Sequence, residues 1–452
     1  MNELLQRLYD HKPRVAVYGD AMIDEYYEVD SDKLSPEFPI PVLRSCFSQP
    51  HAVALGGAAN VCAQFRNFNF DVSLFALTND RIKRMGSGVN MDGCIFSRSV
   101  PVKRRYYSGD FPLCRIDSEV RDYNYEQEVL KDLQQKILDN LSSSGPYDVV
   151  VFSNYEKGMF SGLDNFASFA GDAITIVDPK SGPPERWRGC TIIKPNAKEA
   201  KEITGLSDWK DQCALLMKAT GCQAVVITRG GEDVVGNVQG LWFEYKPESP
   251  VRANSVVGAG DCFVAFLAMC MCHSIDIRRS VEIAFEACSL YVRESHNRPI
   301  YPYQIEPTKF VDSRNLINRD FKLAFTNGFF DILHPGHVEL LKHAKSKADS
   351  LVVALNTDDS AIRQNKSHRL VNGLDYRKSM IAALECVDFV LDFGEDTPYE
   401  LIKRVRPDVL VKGSDWPNPV GSDLVGEVCS FGLVGNHSTT GIIEKIWSIA
   451  PR

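Results

Sequence analysis

The sequence predicts two α/β domains in series, each a mostly parallel sheet with helices on its faces. Three observations carry this. Short β-branched runs that stop at polar residues alternate with segments at helical spacing. The alternation lapses between His296 and Asp320, where Pro, Asn, Arg and Tyr gather without helical periodicity, and then resumes as a shorter series. At 452 residues the chain is too long for one ordinary domain. The expected division is a first domain at 1–300, a linker at 301–320 and a second domain at 321–452.

In the first series "RVAVYGD" (Arg14 to Asp20) is an apolar strand ending at Gly-Asp, and "PIPVLRSCF" (Pro39 to Phe47) is Pro-flanked and suits an edge or lid strand. "GGAANVCAQFRNF" opens with glycines and continues as a helix. "DVVVFS", "AITIVD", "CTIIKPN" and "AVVITRG" follow as strands, with "AKEAKEIT" and "DQCALLMKAT" as helices between them. The second series runs "FKLAFTNG", a helix from Gly336, "SLVVALN", a helix around Tyr376 to Glu385, "VDFVLDF", "TPYELIKRV", "DVLVKG" and a closing helix "TTGIIEKIWSI". That is the rhythm of a smaller doubly wound domain.

Forty-four per cent hydrophobic and 24% charged residues let each half bury a core. A net charge of −8 argues against a general nucleic-acid or membrane-surface binder, while local Lys and Arg residues suffice for small anionic substrates. No apolar run is long enough to span a bilayer, and "MNELLQRLYDHKPRVAVYGD" lacks an apolar core followed by a cleavage site. The expected location is therefore cytoplasmic. Thirteen scattered cysteines without a C-x-x-C pair are expected to be reduced and mostly buried thiols, not metal ligands.

Two stretches carry chemistry. In "NSVVGAGDCFVAFLAMC", Gly258, Ala259 and Gly260 open an apolar helix whose free N–H groups and dipole suit a developing phosphate charge. Asp261, in the first turn, is placed to take a proton from an attacking hydroxyl. A plain glycine turn with an Asp cap fits the same letters. In "FTNGFFDILHPGHVELLKHA", His334 and His337 flank Pro335-Gly336 at the mouth of a helix. Imidazoles and N–H groups there suit the phosphates of a nucleotide being cleaved, and Gly336 lets them approach. A metal site and a capped helix with incidental histidines are the alternatives. No Cys and no i, i+4 histidine completes a ligand set.

In order, "GDAMIDEY", "SPEFPIPVL", "GGAANV", "NYEKG", "KPNAKE" and "VVGAGD" resemble the ribokinase-like sugar kinases over most of residues 11–300. "TNGFFDILHPGH", "VALNTDDS", "YRKSMIAALECVDFV", "DTPYELIKRVRPDVLVKGSDW" and "HSTTGIIEKI" resemble the cytidylyltransferase-like nucleotidyltransferases over 321–449. The pair together is similar to the bifunctional enzymes of nucleotide-activated heptose synthesis. That resemblance implies a ribokinase-like domain with a small β lid, followed by a Rossmann-like HxGH nucleotidyltransferase domain. It implies ATP as substrate, Mg²⁺, phosphorylation of D-glycero-D-manno-heptose 7-phosphate at C1, and transfer of AMP to the heptose 1-phosphate. It also implies a possible homodimer through the lid.

Residue by residue, the resemblance makes Asp261 the base and Gly258, Ala259 and Gly260 the anion hole. Asp24, Gly56, Gly57 and Asn60 fall near the sugar, with Lys103 and Arg105 toward its phosphate. Asn196, Glu199, Thr228 and Gly230 fall near the kinase nucleotide. In the second half it makes His334 and His337 triphosphate ligands, with Asn327, Gly328, Phe329, Arg377, Lys412, Ser438, Thr439 and Thr440 around the nucleotide. The chain departs from the pattern at Cys262, Asp233 and Asn154, in the short "TNDRIKRMGSGVNMDG", and in "AIRQNKSHR", where Lys366 stands in for a Lys-Gly pair. A different sugar or polyol phosphate, CTP in place of ATP, or a silent regulatory kinase half are the other readings of these letters.

Overall fold

The computed structural model describes residues 4, 7–8, 11–31, 33–45, 48–98, 100–109, 111–119, 123–143, 147–162, 164, 167, 170–247, 253–293, 297–305, 309–317, 319–364, 370–414, 418–432, 442, 445 and 448–449. The chain divides into two compact units, 1–300 and 301–452.

In the first unit the strands are β1 (Arg14–Gly19), β2 (Ala21–Asp30), β3 (Arg44–Ser45), β4 (Ala52–Gly57), β5 (Asp71–Phe75), β6 (Leu77–Thr78), β7 (Ile95–Phe96), β8 (Val102–Ser108), β9 (Phe111–Ser118), β10 (Val149–Ser153), β11 (Ile174–Asp178), β12 (Ile192–Ile193), β13 (Ala224–Thr228), β14 (Val234–Val238) and β15 (Leu241–Tyr245). The helices are α1 (Ala58–Phe65), α2 (Asp80–Met85), α3 (Tyr123–Ser143), α4 (Ala197–Thr204), α5 (Trp209–Thr220), α6 (Ala259–Cys272) and α7 (Ile277–Tyr291). An eight-stranded sheet runs β15-β14-β13-β12-β11-β10-β1-β5. It is parallel from β5 to β13 and antiparallel over β14 and β15. Its inner strands are continuous buried runs such as Val149–Ser153, as a sheet covered on both faces requires, while the edge strand β15 is largely exposed. A second sheet, β3-β2-β8-β9 with β4 on β2, forms the lid.

Helix α6 is apolar all round. Every residue from Asp261 to Cys272 is buried, so it is a core helix and not an amphipathic cover. The described cysteines are free thiols, most of them buried.

The second unit holds β16 (Leu323–Gly328), β17 (Ser350–Asn356), β18 (Phe389–Phe393), β19 (Val409–Gly413) and β20 (Glu427–Phe431), ordered β18-β17-β16-β19-β20 and all parallel. Its helices are α8 (Pro302–Ile305), α9 (Pro335–Lys345), α10 (Asp358–Arg363), α11 (Leu374–Ala382) and α12 (Tyr399–Val405). Alternate strand residues feed two core clusters, Phe325, Val352 and Ala354 into one and Ala324, Val353 and Leu355 into the other. The strand order reverses between β16 and β19, which opens a crevice beyond their carboxyl ends.

Several elements differ from expectation. Of the described part of "PIPVLRSCF", Arg44 and Ser45 pair with the end of β2, and Pro41 makes an isolated bridge to Leu34. The segment 301–320 carries α8 and a 3₁₀ turn at Ser313–Leu316, and Val311 and Leu316 join a core cluster of the second unit. Most of the closing helix lies outside the described residues. Among those residues, no helix is long and apolar enough to cross a membrane.

Candidate functional site

In the first unit, the parallel register brings the ends of β10 and β11 level, with Ser153 beside Asp178. The residues just past these strands and β12 frame a cavity of about 440 Å³. Asn154, Tyr155, Asp178 and Lys194 line it together with Asn196, Glu199, Thr228, Gly230, Ala259 and Gly260. The expected nucleotide residues therefore meet the expected anion hole around one space.

The turn before α6 is fixed by Gly258 at φ +76°, where a Cβ would press on the Tyr291 hydroxyl and lie 2.6 Å from Asn60 Nδ2. The helix opens without a side-chain cap; the Ala259 N–H turns back to Val256 O at 3.3 Å, and the N–H groups of Gly260 and Asp261 that follow are the ones placed for a ligand. Asp261 is buried at 2% exposure. Tyr155 donates to its Oδ1 at 2.6 Å, and Asn60 donates to its Oδ2 at 2.9 Å. Burial pushes this carboxyl up to about 7. The two donors pull against that rise, and the charges of Asp178 and Asp24 add to it. A carboxylate that titrates near neutrality is suited to accept a proton at physiological pH.

Lys194 is a residue the sequence reading quoted without assigning. Its ammonium is buried and 2.9 Å from Asp178 Oδ1. Burial opposes its charge, but Asp178, Glu199 and Asp261 outweigh that and raise its pKa. A Cβ on Gly260 would lie 3.6 Å from Nζ, so the cation borders the turn expected to be the anion hole. Asn196 and Glu199 form a capping box on α4. Asn196 Oδ1 accepts from Glu199 N, and Glu199 Oε2 accepts from Asn196 N, each at 2.9 Å. Glu199 Oε1 also takes Lys180 at 3.1 Å.

The departures have local reasons. Asp233 is buried in an ion pair with Arg229, whose N–H donates to Asp233 O at 3.0 Å, so a charged clasp closes the loop at this position. Asn154 Oδ1 caps Glu156 N at 3.0 Å, and its Nδ2 is buried without a hydrogen-bond partner at the cavity wall.

Among the residues expected near the sugar, Asp24 is 3% exposed. Its Oδ1 takes Arg105 Nη2 at 2.8 Å, and its Oδ2 takes Asn297 Nδ2 at 3.1 Å. A Cβ on Gly56 would stand 2.6 Å from Asp24 Oδ2, and Gly57 turns at φ +60°. Arg105, expected as a phosphate ligand, is thus committed to Asp24. Lys103 lies 5.3 Å from the centre of the Tyr155 ring, and desolvation lowers its pKa.

In the second unit His334 precedes α9 in extended conformation and His337 sits in its first turn. Their rings stack with centroids 3.7 Å apart. Burial, and then the neighbouring His334, push His337 down to about 4, so it is a neutral imidazole at pH 7. Its Nδ1 is buried without a partner. Lys412, at the end of β19, donates to Asn327 O at 2.7 Å across the switch point. A Cβ on Gly328 would meet the Phe330 ring at 3.1 Å, and that ring packs on His337. Arg377 is fully buried. It donates to Phe329 O (2.8 Å), Asn356 O (2.9 Å), Asn372 O (3.1 Å) and Asp358 Oδ1 (2.7 Å), so it holds the turn and offers its guanidinium to the protein. Ser438, Thr439, Thr440 and Lys366 lie outside the described residues.

Both halves of the chain are similar to known proteins. The pfkB family carbohydrate kinase model matches residues 124–302 and the cytidylyltransferase-like model matches 325–449. The chain is 34% identical to the bifunctional protein HldE of Caulobacter vibrioides, over 96% of this chain and 98% of that protein. It is 31% identical to the bifunctional protein HldE of Campylobacter jejuni, over 98% and 99%. The crystal structure of phosphofructokinase-2 from Escherichia coli in complex with potassium superposes with a TM-score of 0.50 at 15% identity, over 64% of this chain and 95% of that one, a likeness of fold alone.

Proposed function

Since the chain belongs to the family of bifunctional HldE proteins, with a sugar-kinase half and a nucleotidyltransferase half, we propose that it makes a nucleotide-activated heptose in two steps. The first half phosphorylates C1 of D-glycero-D-manno-heptose 7-phosphate with ATP. A separate phosphatase removes the 7-phosphate. The second half transfers AMP from ATP to the heptose 1-phosphate, releasing pyrophosphate. The location that fits this chemistry is the cytoplasm.

One observation carries the kinase reading: buried Asp261 and buried Lys194 meet at the Gly258–Gly260 turn, between the nucleotide cavity and the Asp24–Asn60 side. In this reading Asp261 takes the proton of the C1 hydroxyl as that oxygen attacks the γ-phosphate. The uncapped N–H groups of α6 and the Lys194 ammonium hold the charge on the moving phosphoryl group. Of the two cations expected there, Lys103 is the one offered to the sugar's own phosphate, because Arg105 is taken by Asp24. Magnesium, arriving with the nucleotide, would neutralise phosphate charge. The Glu199 carboxylate and the Asn196 amide at the cavity wall are oxygen donors that fit it.

In the second half the attacking group is a phosphate, already an anion, so no strong base is needed and positioning does the work. His334, His337 and Lys412 would orient the triphosphate and hold the departing pyrophosphate.

The test is ³¹P NMR of the protein with Mg–ATP and D-glycero-D-manno-heptose 7-phosphate beside Asp261→Asn. A new anomeric phosphate signal, absent from the variant, supports substrate and base together. No new signal from the folded wild-type protein rejects the substrate.

A further inference from the structure

No step above uses Tyr155, yet it is held from three sides. Its N–H donates to Asp20 Oδ2 at 2.9 Å, and Lys157 N donates to the same oxygen at 3.1 Å, so a buried carboxyl pins the turn after β10. Its ring faces the Lys103 ammonium and walls the nucleotide cavity. Its hydroxyl donates to Asp261 Oδ1 at 2.6 Å. One side chain thus touches the base, the nucleotide space and the cation on the sugar side.

A carboxylate shut away from water takes up a proton unless donors stabilise the anion. Tyr155 and Asn60 are the two hydrogen-bond donors to Asp261 among the described residues. The charged and titratable groups around it come from every packed element. Asp178 at the end of β11 and Asp24 on β2 oppose its charge. Lys194 after β12 favours it. Tyr291 of α7 is neutral and accepts from Asn60 at 3.3 Å, and Cys262 follows on α6 itself. A phenol donates without adding a charge that would compete for the phosphoryl group. It occupies one lone pair of Oδ1 and leaves others for an incoming hydroxyl.

We propose that Tyr155 is a positioning residue of the kinase half: its hydroxyl keeps Asp261 ionised and aimed, so that the base is ready when the sugar arrives. The proposal rests on the kinase reading above.

Tyr155→Phe keeps the ring and the Lys103 contact and removes one O–H. The acid limb of kinase kcat/KM against pH is expected to move up by about one unit. The loss is then about tenfold near pH 6.5 and shrinks to less than about threefold near pH 9, with KM for ATP unchanged. Site-specific 3-fluorotyrosine at position 155, a stronger donor of nearly the same shape, moves the limb the other way. A limb that stays put in both proteins, with any loss equal at all pH values, overturns the proposal. The Asp261 carboxyl can also be titrated without any sugar, by ¹³C NMR of aspartate-labelled protein with the signal assigned through Asp261→Asn. A higher midpoint in Tyr155→Phe supports the role, and an equal midpoint rejects it. If the wild-type protein phosphorylates no sugar phosphate, the kinase reading fails and this titration still decides the role of Tyr155.

Discussion

Asp261 joins a short list of carboxyls whose surroundings, and not their own chemistry, set their charge near neutral pH. Asp261→Asn is expected to lower kinase turnover by about 10²–10⁴-fold, read as ADP release. In the wild-type protein kinase activity should rise with pH through about 7, because the base works only when deprotonated. Lys194→Met should lower kcat by at least about 10²-fold, since a buried cation at the moving phosphoryl group is removed and Asp178 is left unpaired. His337 titrates at about 4 in the free protein, so binding of an anionic triphosphate should pull a proton onto it. Calorimetry of ATP binding near pH 5 in two buffers of different ionisation enthalpy should show proton uptake, and His337→Asn should abolish it. Asp261, His334 and His337 were legible because each stands inside a compact local pattern. Lys194, Asp178 and Tyr155 were not. They lie at or just past the ends of three different strands, and the parallel register, with Ser153 beside Asp178, brings them to one rim.

At the scale of elements, the turn before α6 is the most constrained piece of backbone at the site. Gly258→Ala would meet both a left-handed φ and the Asn60 amide. A cost of about 1–3 kcal/mol is expected, together with kinase loss beyond what that destabilisation explains, because Asn60 is a donor to Asp261. Denaturant midpoints and turnover on the same preparation separate the two. The core strands could be read from sequence since buried parallel strands are unbroken β-branched runs, as in β10 and β17. The lid was only partly visible. β2 follows β1 with Asp20 alone between them, and its letters, "AMIDEYYEVD", mix charges with apolar residues. Strand β20 alternates around polar residues at a sheet edge and gives little signal.

At the scale of the molecule, the two compact units carry separate chemistries on separate cores. Asp261→Asn should therefore leave pyrophosphate release from heptose 1-phosphate and ATP within about twofold of wild type, because Asp261 belongs to the first unit alone. The lid ends in the edge strand β9, where Phe111, Leu113 and Ile116 are 77%, 37% and 50% exposed. An apolar edge of this kind favours pairing with a second copy, and we propose the homodimer there. Phe111→Lys with Ile116→Lys should shift light-scattering mass from dimer to monomer.

Burial of Asp261, the proposed base, also sets how the protein meets heat and alkali. Asp261 titrates at about 7 when folded against an ordinary value of 3.8, so the folded state binds the extra proton. Its contribution to stability is whole below about pH 4 and is lost as pH climbs through 7, a fall of order 4 kcal/mol for this group alone. With Asp261 as the proposed base, the kinase half is at its most fragile in the pH range where it is expected to turn over fastest. The difference in melting temperature between Asp261→Asn and wild type should widen from acid to alkaline pH, and the inactive protein should be the one that outlasts the active one.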